Sequence, residues 1–202
     1  MKRIIFITLA FLVFCSHKQY QIKYVDTAFD TSNISRIAIF DFENKTDIDL
    51  LGSYASERLQ YYLKKESEFI TIEQKKIKQA VEELHLGDQS WMNDQQKIKE
   101  IGKYLAIDAL IIGAVIGIDD SHSQYYYTKE FDTSFETSIQ IIDVVNAGIL
   151  YSNNCRSGNE DMTIHHENPQ FMQKRIARQL IDQCVQILSS EFLPKKIKIQ
   201  LH

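Results

Sequence analysis

The sequence predicts an α/β domain, a mixed sheet covered by helices, and three observations carry that prediction. Short β-branched runs alternate with amphipathic helical stripes along the chain. One run, ALIIGAVIGI from Ala109 to Ile118, is apolar throughout between Asp108 and Asp119, as a strand buried on both faces would be. The composition is that of a globular chain: 202 residues, 44% hydrophobic, 25% charged, with 7 Gly and 2 Pro, which excludes collagen-like and disordered classes and leaves enough chain for one core. The formal charge of −4 and pI of about 5.9 provide no basic field for a nucleic-acid backbone, so nucleic acid is excluded as a partner.

Met1-Lys2-Arg3 opens the chain with positive charge, and Ile4 to Phe14 is uncharged and apolar apart from Thr8. That is the pattern of a signal peptide over 1–14. Eleven helical residues rise only about 16 Å against a hydrocarbon core of about 30 Å, so removal is expected rather than a permanent span. Leu12-Val13-Phe14-Cys15-Ser16 resembles the bacterial lipobox, whose cysteine receives acyl chains such as palmitate and becomes the new N-terminus. Phe14 departs from it, standing where the processing pocket takes Gly, Ala or Ser. Plain secretion is the alternative, and no A-x-A site supports it. Several acyl chains on Cys15 would anchor the protein stably. Residues 15–33 then read as the lipidated cysteine and a polar, flexible tether, and 34–202 as a single folded domain.

Ile34 to Phe40 is β-branched and apolar, a buried strand leading into the turn-rich Asp41 to Thr46. Leu51, Ala55, Leu59, Tyr62 and Leu63 recur at helical spacing over Leu51 to Lys65. Phe69 to Ile72 is a short strand, and Glu73 to His85 is helical through Ile77, Ala80, Val81 and Leu84, with Gly87 just past its end. Asn93 or Asp94 caps a helix over Gln95 to Leu105, whose Ile98, Ile101 and Leu105 form the buried stripe. The central strand follows, and its Gly113 and Gly117 allow a backbone or an aromatic ring to approach closely. Thr133 to Val145 and Ile149 to Cys155 pair as a hairpin across Asn146-Ala147-Gly148. Pro169 opens a long helix to Leu193, and Lys196 to Leu201 alternates as an edge strand or tail would.

Four of these segments resemble the CsgG family of bacterial envelope lipoproteins, which includes the curli secretion channel, and the related LpoB activators of peptidoglycan synthases. They are IAIFDFENKT (Ile37 to Thr46), with the family's Phe-x-Asn-x-Thr at Phe42, Asn44 and Thr46; Phe69 to Glu73; Leu105 to Val115; and Ile141 to Leu150. The resemblance covers about Ile34 to Leu193. It implies a three-layer, anticodon-binding-domain-like fold used for protein contact without catalysis. The secretion channel needs two long hairpin insertions, each strand about 9 to 11 residues. The windows Asp119 to Thr133 and Ser152 to Asn168 do not read as lipid-facing strands, so a subunit of an oligomeric export channel is the second reading.

Chemistry-bearing clusters are few. Asp41, Glu43, Asp47 and Asp49 match no calcium loop and read as solvated or helix N-terminal carboxylates. His165-His166-Glu167 is the only metal-like grouping, without an identifiable third ligand, so no metal and no cofactor is expected. Cys155 and Cys184 either pair after export, closing a loop of about 30 residues, or stay buried as separate thiols. Tyr125, Tyr126 and Tyr127, with Phe131 and Phe135 close by, form the candidate partner surface; half-buried sheet positions explain them as well. No Walker loop, nucleophile elbow or H-E-x-x-H motif occurs. The expectation is a non-enzymatic, lipid-anchored protein of the outer membrane facing the periplasm, with an envelope protein as partner and homo-oligomers open. A periplasmic small-ligand-binding protein or enzyme is the third reading.

Overall fold

The computed structural model describes the backbone of residues 23–26, 30–87, 89–125, 128–164 and 169–192, and the side chains of these except 89, 118–133, 159–164, 169–173 and 192. Among the described residues seven strands form one mixed sheet: β1 Lys23–Val25, β2 Arg36–Ile39, β3 Glu43–Lys45, β4 Ile70–Thr71, β5 Ala109–Tyr125, β6 Thr128–Asp143 and β7 Ile149–Ile164. The order is β1-β7-β6-β5-β2-β4, with β3 beside β5. Both β2 and β3 run parallel to β5, Ile37–Ile39 facing Ala109–Ile111 and Glu43–Lys45 facing Ala114–Ile116, so they occupy successive lengths of one side of it. Among the described residues four helices cover the sheet: α1 Leu51–Glu66, α2 Gln74–Glu83, α3 Gln95–Leu105 and α4 Pro169–Phe192.

Strand alternation assigns the layers. Ile37 and Ile39 pack with Leu51, Ala55 and Leu59 of α1 and with Ile181, Val185 and Leu188 of α4. Ala38 and Phe40 point the other way, to Ile77 and Ala80 of α2, Ile98 and Ile101 of α3, and the buried Trp91. On β5, Ala109 and Ile111 belong to the first cluster and Leu110 to the second. The result is helix, sheet, helix: the mixed α/β class expected, in three layers.

Local signals explain the ends of the elements. Asp94 caps α3 by accepting hydrogen bonds from the Gln96 and Lys97 N–H groups, and Ala106 ends it in the left-handed region. The left-handed position after α2 falls on His85 (φ 50°), and Gly87 (φ 61°) takes a second one. Gly113 owes its identity to packing: a Cβ there would lie 2.5 Å from both the Phe42 ring and the Ser138 carbonyl oxygen. Gly117 faces only Thr46, at 3.9 Å.

Three expectations are corrected. The stretch 16–33 contains β1, paired antiparallel with Tyr151 to Asn153 of β7, and a 3-10 turn at Thr31–Asn33, so the sheet begins at Lys23 and not at Ile34. The turn-rich segment after β2 contains β3. The windows Asp119 to Thr133 and Ser152 to Asn168 are largely strand, because β5, β6 and β7 run on to Tyr125, from Thr128 and to Ile164 as a three-stranded arm. Polar strands of this kind need only each other's backbone groups, so no apolar alternation marks them. Register shifts interrupt the arm between Ile118 and Ser121 and between Phe131 and Thr133.

Candidate functional site

Phe42, Asn44 and Thr46 build the loop that launches α1. Phe42 is buried, with its ring against Gly113, and its carbonyl oxygen fills the space beside Gly52 where a Cβ would stand. Asn44 Nδ2 donates to the Ile48 carbonyl at 2.9 Å, Thr46 Oγ1 donates to Asn44 Oδ1 at 2.8 Å, and the Ile48 N–H donates back to Thr46 Oγ1 at 3.2 Å. The loop is thereby folded on itself. Its last residue, Leu50, is held at φ 67° and left 65% exposed. A branched apolar side chain in the left-handed region facing solvent is an uncommon arrangement, of the kind found at contact sites. Asp108, in another motif segment, is also structural: its carboxylate accepts the Ser35 and Arg36 N–H groups at 2.8 Å each and so fastens the start of β2.

One turn beyond Leu50 begins a ridge that the sequence reading missed. Tyr54, Arg58, Tyr61 and Lys65 follow at spacings of four, three and four, along the outer face of α1. Arg58 donates bidentately to Asp182 of α4 and lies 4.8 Å from the Tyr61 ring centroid and 5.1 Å from that of Tyr62. Tyr62 completes the group by donating to Asp182 at 3.2 Å. Hydrogen bonding to Asp182, reinforced by Tyr62, holds the Arg58 pKa above its ordinary value. Arg178 of α4 stacks on Tyr54 at 5.3 Å and Lys65 on Tyr61 at 5.8 Å. Burial, and then the Asp182 charge, raise the Tyr54 pKa. Tyr61 is nonetheless 48% exposed. The ridge is a surface of tyrosines and basic side chains stacked on one another, with Arg58 hydrogen-bonded to Asp182. The polar face of an amphipathic helix ordinarily reads as solvated, which is why its i, i+4, i+7, i+11 pattern attracted no notice.

A second network ties β1 to the end of α4. Lys23 Nζ meets Glu191 at 2.8 Å, and the fully buried Asn153 donates through Nδ2 to Tyr151 Oη at 2.9 Å and to Glu191 at 3.1 Å. Burial is the main cause that pushes the Tyr151 pKa well above its ordinary value, with Glu191 adding to it.

The other expected sites are dispersed. Cys155 on β7 and Cys184 on α4 are buried with Cα atoms 5.4 Å apart, in bonding position. Tyr125 ends β5, far along the arm from the ridge, while Tyr126 and Tyr127 lie outside the described residues, as do Cys15 and His165 to Glu167. Of the acidic loop group, Asp41 lies 3.4 Å from Ser56 Oγ and 3.9 Å from Lys78, and Glu43 pairs with Lys45 at 2.9 Å; these carboxylates do not converge. Among the described residues no three His, Cys, Asp or Glu side chains form a metal-ligand group. No helix among them is long and apolar enough to cross a membrane.

These features define a class first, a three-layer α/β domain with a seven-stranded mixed sheet and an ordered aromatic–basic surface. The chain belongs to the LpoB family, described as peptidoglycan-synthase activators, whose family model matches residues 20–156. Of the two resemblances named from the sequence, the match is with LpoB. No curated protein matches the sequence. The lipoprotein GNA1162 of Neisseria meningitidis has a similar fold, at 11% identity and a TM-score of 0.51, over 77% of this chain and 99% of that one. PelC of Paraburkholderia phytofirmans, solved as a dodecamer, is similar at 13% identity and a TM-score of 0.50, over 88% of this chain and 99% of its own. The C-terminal domain of LpoB from Salmonella enterica aligns at 16% identity and a TM-score of 0.47, over 64% and 84%.

Proposed function

We propose that this chain is a lipid-anchored, periplasm-facing regulator that raises the activity of a peptidoglycan synthase by direct protein contact and performs no catalysis itself. The observation that carries this reading is the family match over residues 20–156, which takes in β1 to β6, three of the four helices and the Phe42–Thr46 loop. Cys15 is the anchor. Lys23 lies eight positions further on, a covalent reach of at most about 28 Å. Because β1 runs antiparallel to β7, its first residue, Lys23, lies on the side toward which the arm extends. On this reading the domain acts close to the membrane that holds it, the outer one.

Reconstitution tests this. The acylated chain, placed in proteoliposomes with each peptidoglycan synthase of the source bacterium in turn, is expected to raise glycan polymerisation by at least one of them several-fold. Unchanged rates with every synthase, at saturating regulator, would remove the activator reading.

A further inference from the structure

We infer that the α1–α4 ridge, Leu50, Tyr54, Arg58, Tyr61 and Lys65 with Arg178, is the docking face for a folded protein partner that presents carboxylates there; this rests on the regulator reading and deepens it. Charge is the first reason. The outer helices α1 and α4 carry Arg58, Lys64, Lys65, Lys174, Arg175 and Arg178 against Glu57, Glu66, Asp182 and Glu191. Two of those four carboxylates are taken, Asp182 by Arg58 and Glu191 by Lys23. A chain of net charge −4 thus holds a positive island on one layer. Arg178 contacts Tyr54 but no carboxylate among the described residues, and Arg58 keeps Nη1 without a hydrogen-bond partner there. Bidentate recognition of a carboxylate by a planar guanidinium is the chemistry these groups leave open.

Order is the second reason, and it selects a protein over a lipid surface. Arg58, bonded to Asp182 through two nitrogens and lying over Tyr61 and Tyr62, and Arg178, lying over Tyr54, are positioned by these contacts, which lowers the entropy that docking must remove. A fluid bilayer of mobile headgroups requires no such fixed geometry, whereas Tyr and Arg around an apolar anchor are the residues that carry protein–protein binding energy. Leu50, held at φ 67° at the head of the ridge, supplies that anchor. From Leu50 to Lys65 the ridge is about 22 Å long. That is close to the width of an ordinary interface patch of about 800 Å² per partner.

The test measures binding of the acylated chain, in detergent, to the synthases used above. Arg178→Glu and Tyr61→Ser, both exposed positions, are each expected to weaken binding by about tenfold or more, Arg178→Lys by less, and Tyr104→Ser on the opposite helical layer not at all. Unchanged melting temperatures establish that the variants fold. Undiminished binding by both ridge variants while the wild type binds would overturn the ridge and leave the regulator reading standing. Failure of the wild type to bind any synthase would overturn both. Phosphatidylglycerol vesicles and sedimentation of the Cys15→Ser chain provide the other arms. If Arg178→Glu abolishes vesicle binding or self-association and spares the synthase, the face belongs to a lipid surface or a second copy, and the protein-partner assignment is wrong.

Discussion

Gly113 shows how closely one residue can be specified by its surroundings. Its missing Cβ is the space in which the Phe42 ring and the Ser138 carbonyl meet. Gly113→Ala is therefore expected to lower stability by about 2 kcal/mol in urea unfolding, with part of the loss recovered by Phe42→Leu in the same chain. The sequence announced the glycine and its use, because a glycine inside an apolar strand marks a close approach. It could not name the ring. Tyr151 makes a second residue-scale prediction. Its pKa is raised above the ordinary tyrosine value, so its contribution is complete below about pH 10 and is lost as pH rises from there, when the unfolded chain ionises and the folded one resists. Urea midpoints measured at pH 8 and at pH 11 should fall more in the wild type than in Tyr151→Phe. Parallel slopes for the two would contradict the buried-tyrosine account.

Among the elements, α3 and α4 were legible and the arm was not. Asp94 and the stripe Ile98, Ile101 and Leu105 mark α3, and Pro169 with a four-residue apolar recurrence marks α4, because burial against a sheet imposes a period on the side chains. In the arm, Ser121 to Tyr125 and Thr128 to Phe131 pair through the backbone, which imposes none. β1 escaped notice for the same reason: three exposed residues held by β7. The junction between β7 and α4 carries its own prediction. Cys155 on β7 and Cys184 on α4 face each other there, and we propose that they are joined as a disulfide in the exported protein. A closed loop of about 30 residues is then worth about 3–4 kcal/mol in the chain-entropy account. Replacing both cysteines by Ser should lower the urea midpoint accordingly, and thiol titration of the denatured, unreduced mature chain should find neither. Two reactive thiols would show that the pair is reduced.

On the scale of the whole molecule, the fold class was readable because β-branched runs and helical stripes alternate, and the family because its motif residues Phe42, Asn44, Thr46 and Asp108 hold backbone geometry that a fold needs. The ridge was not readable, since it exists only once α1 and α4 lie side by side and bring Arg178 to Tyr54 and Asp182 to Arg58. Of the aromatic cluster most visible in the sequence, Tyr125 ends β5, and Tyr126 and Tyr127 lie outside the described residues. If Cys15 is the anchor, as proposed, a reach of about 28 Å confines the domain to partners near its own bilayer. Lengthening the segment between Cys15 and Lys23 with a flexible insert should therefore change how far synthase activation extends from that bilayer while leaving affinity in detergent unaltered. The most direct test of the account is the native mass of the protein extracted from its own membranes in mild detergent. A subunit that begins at an acylated Cys15 and is bound to a peptidoglycan synthase is the predicted result. An unmodified chain starting at Met1, or a closed ring of this chain alone, would contradict it.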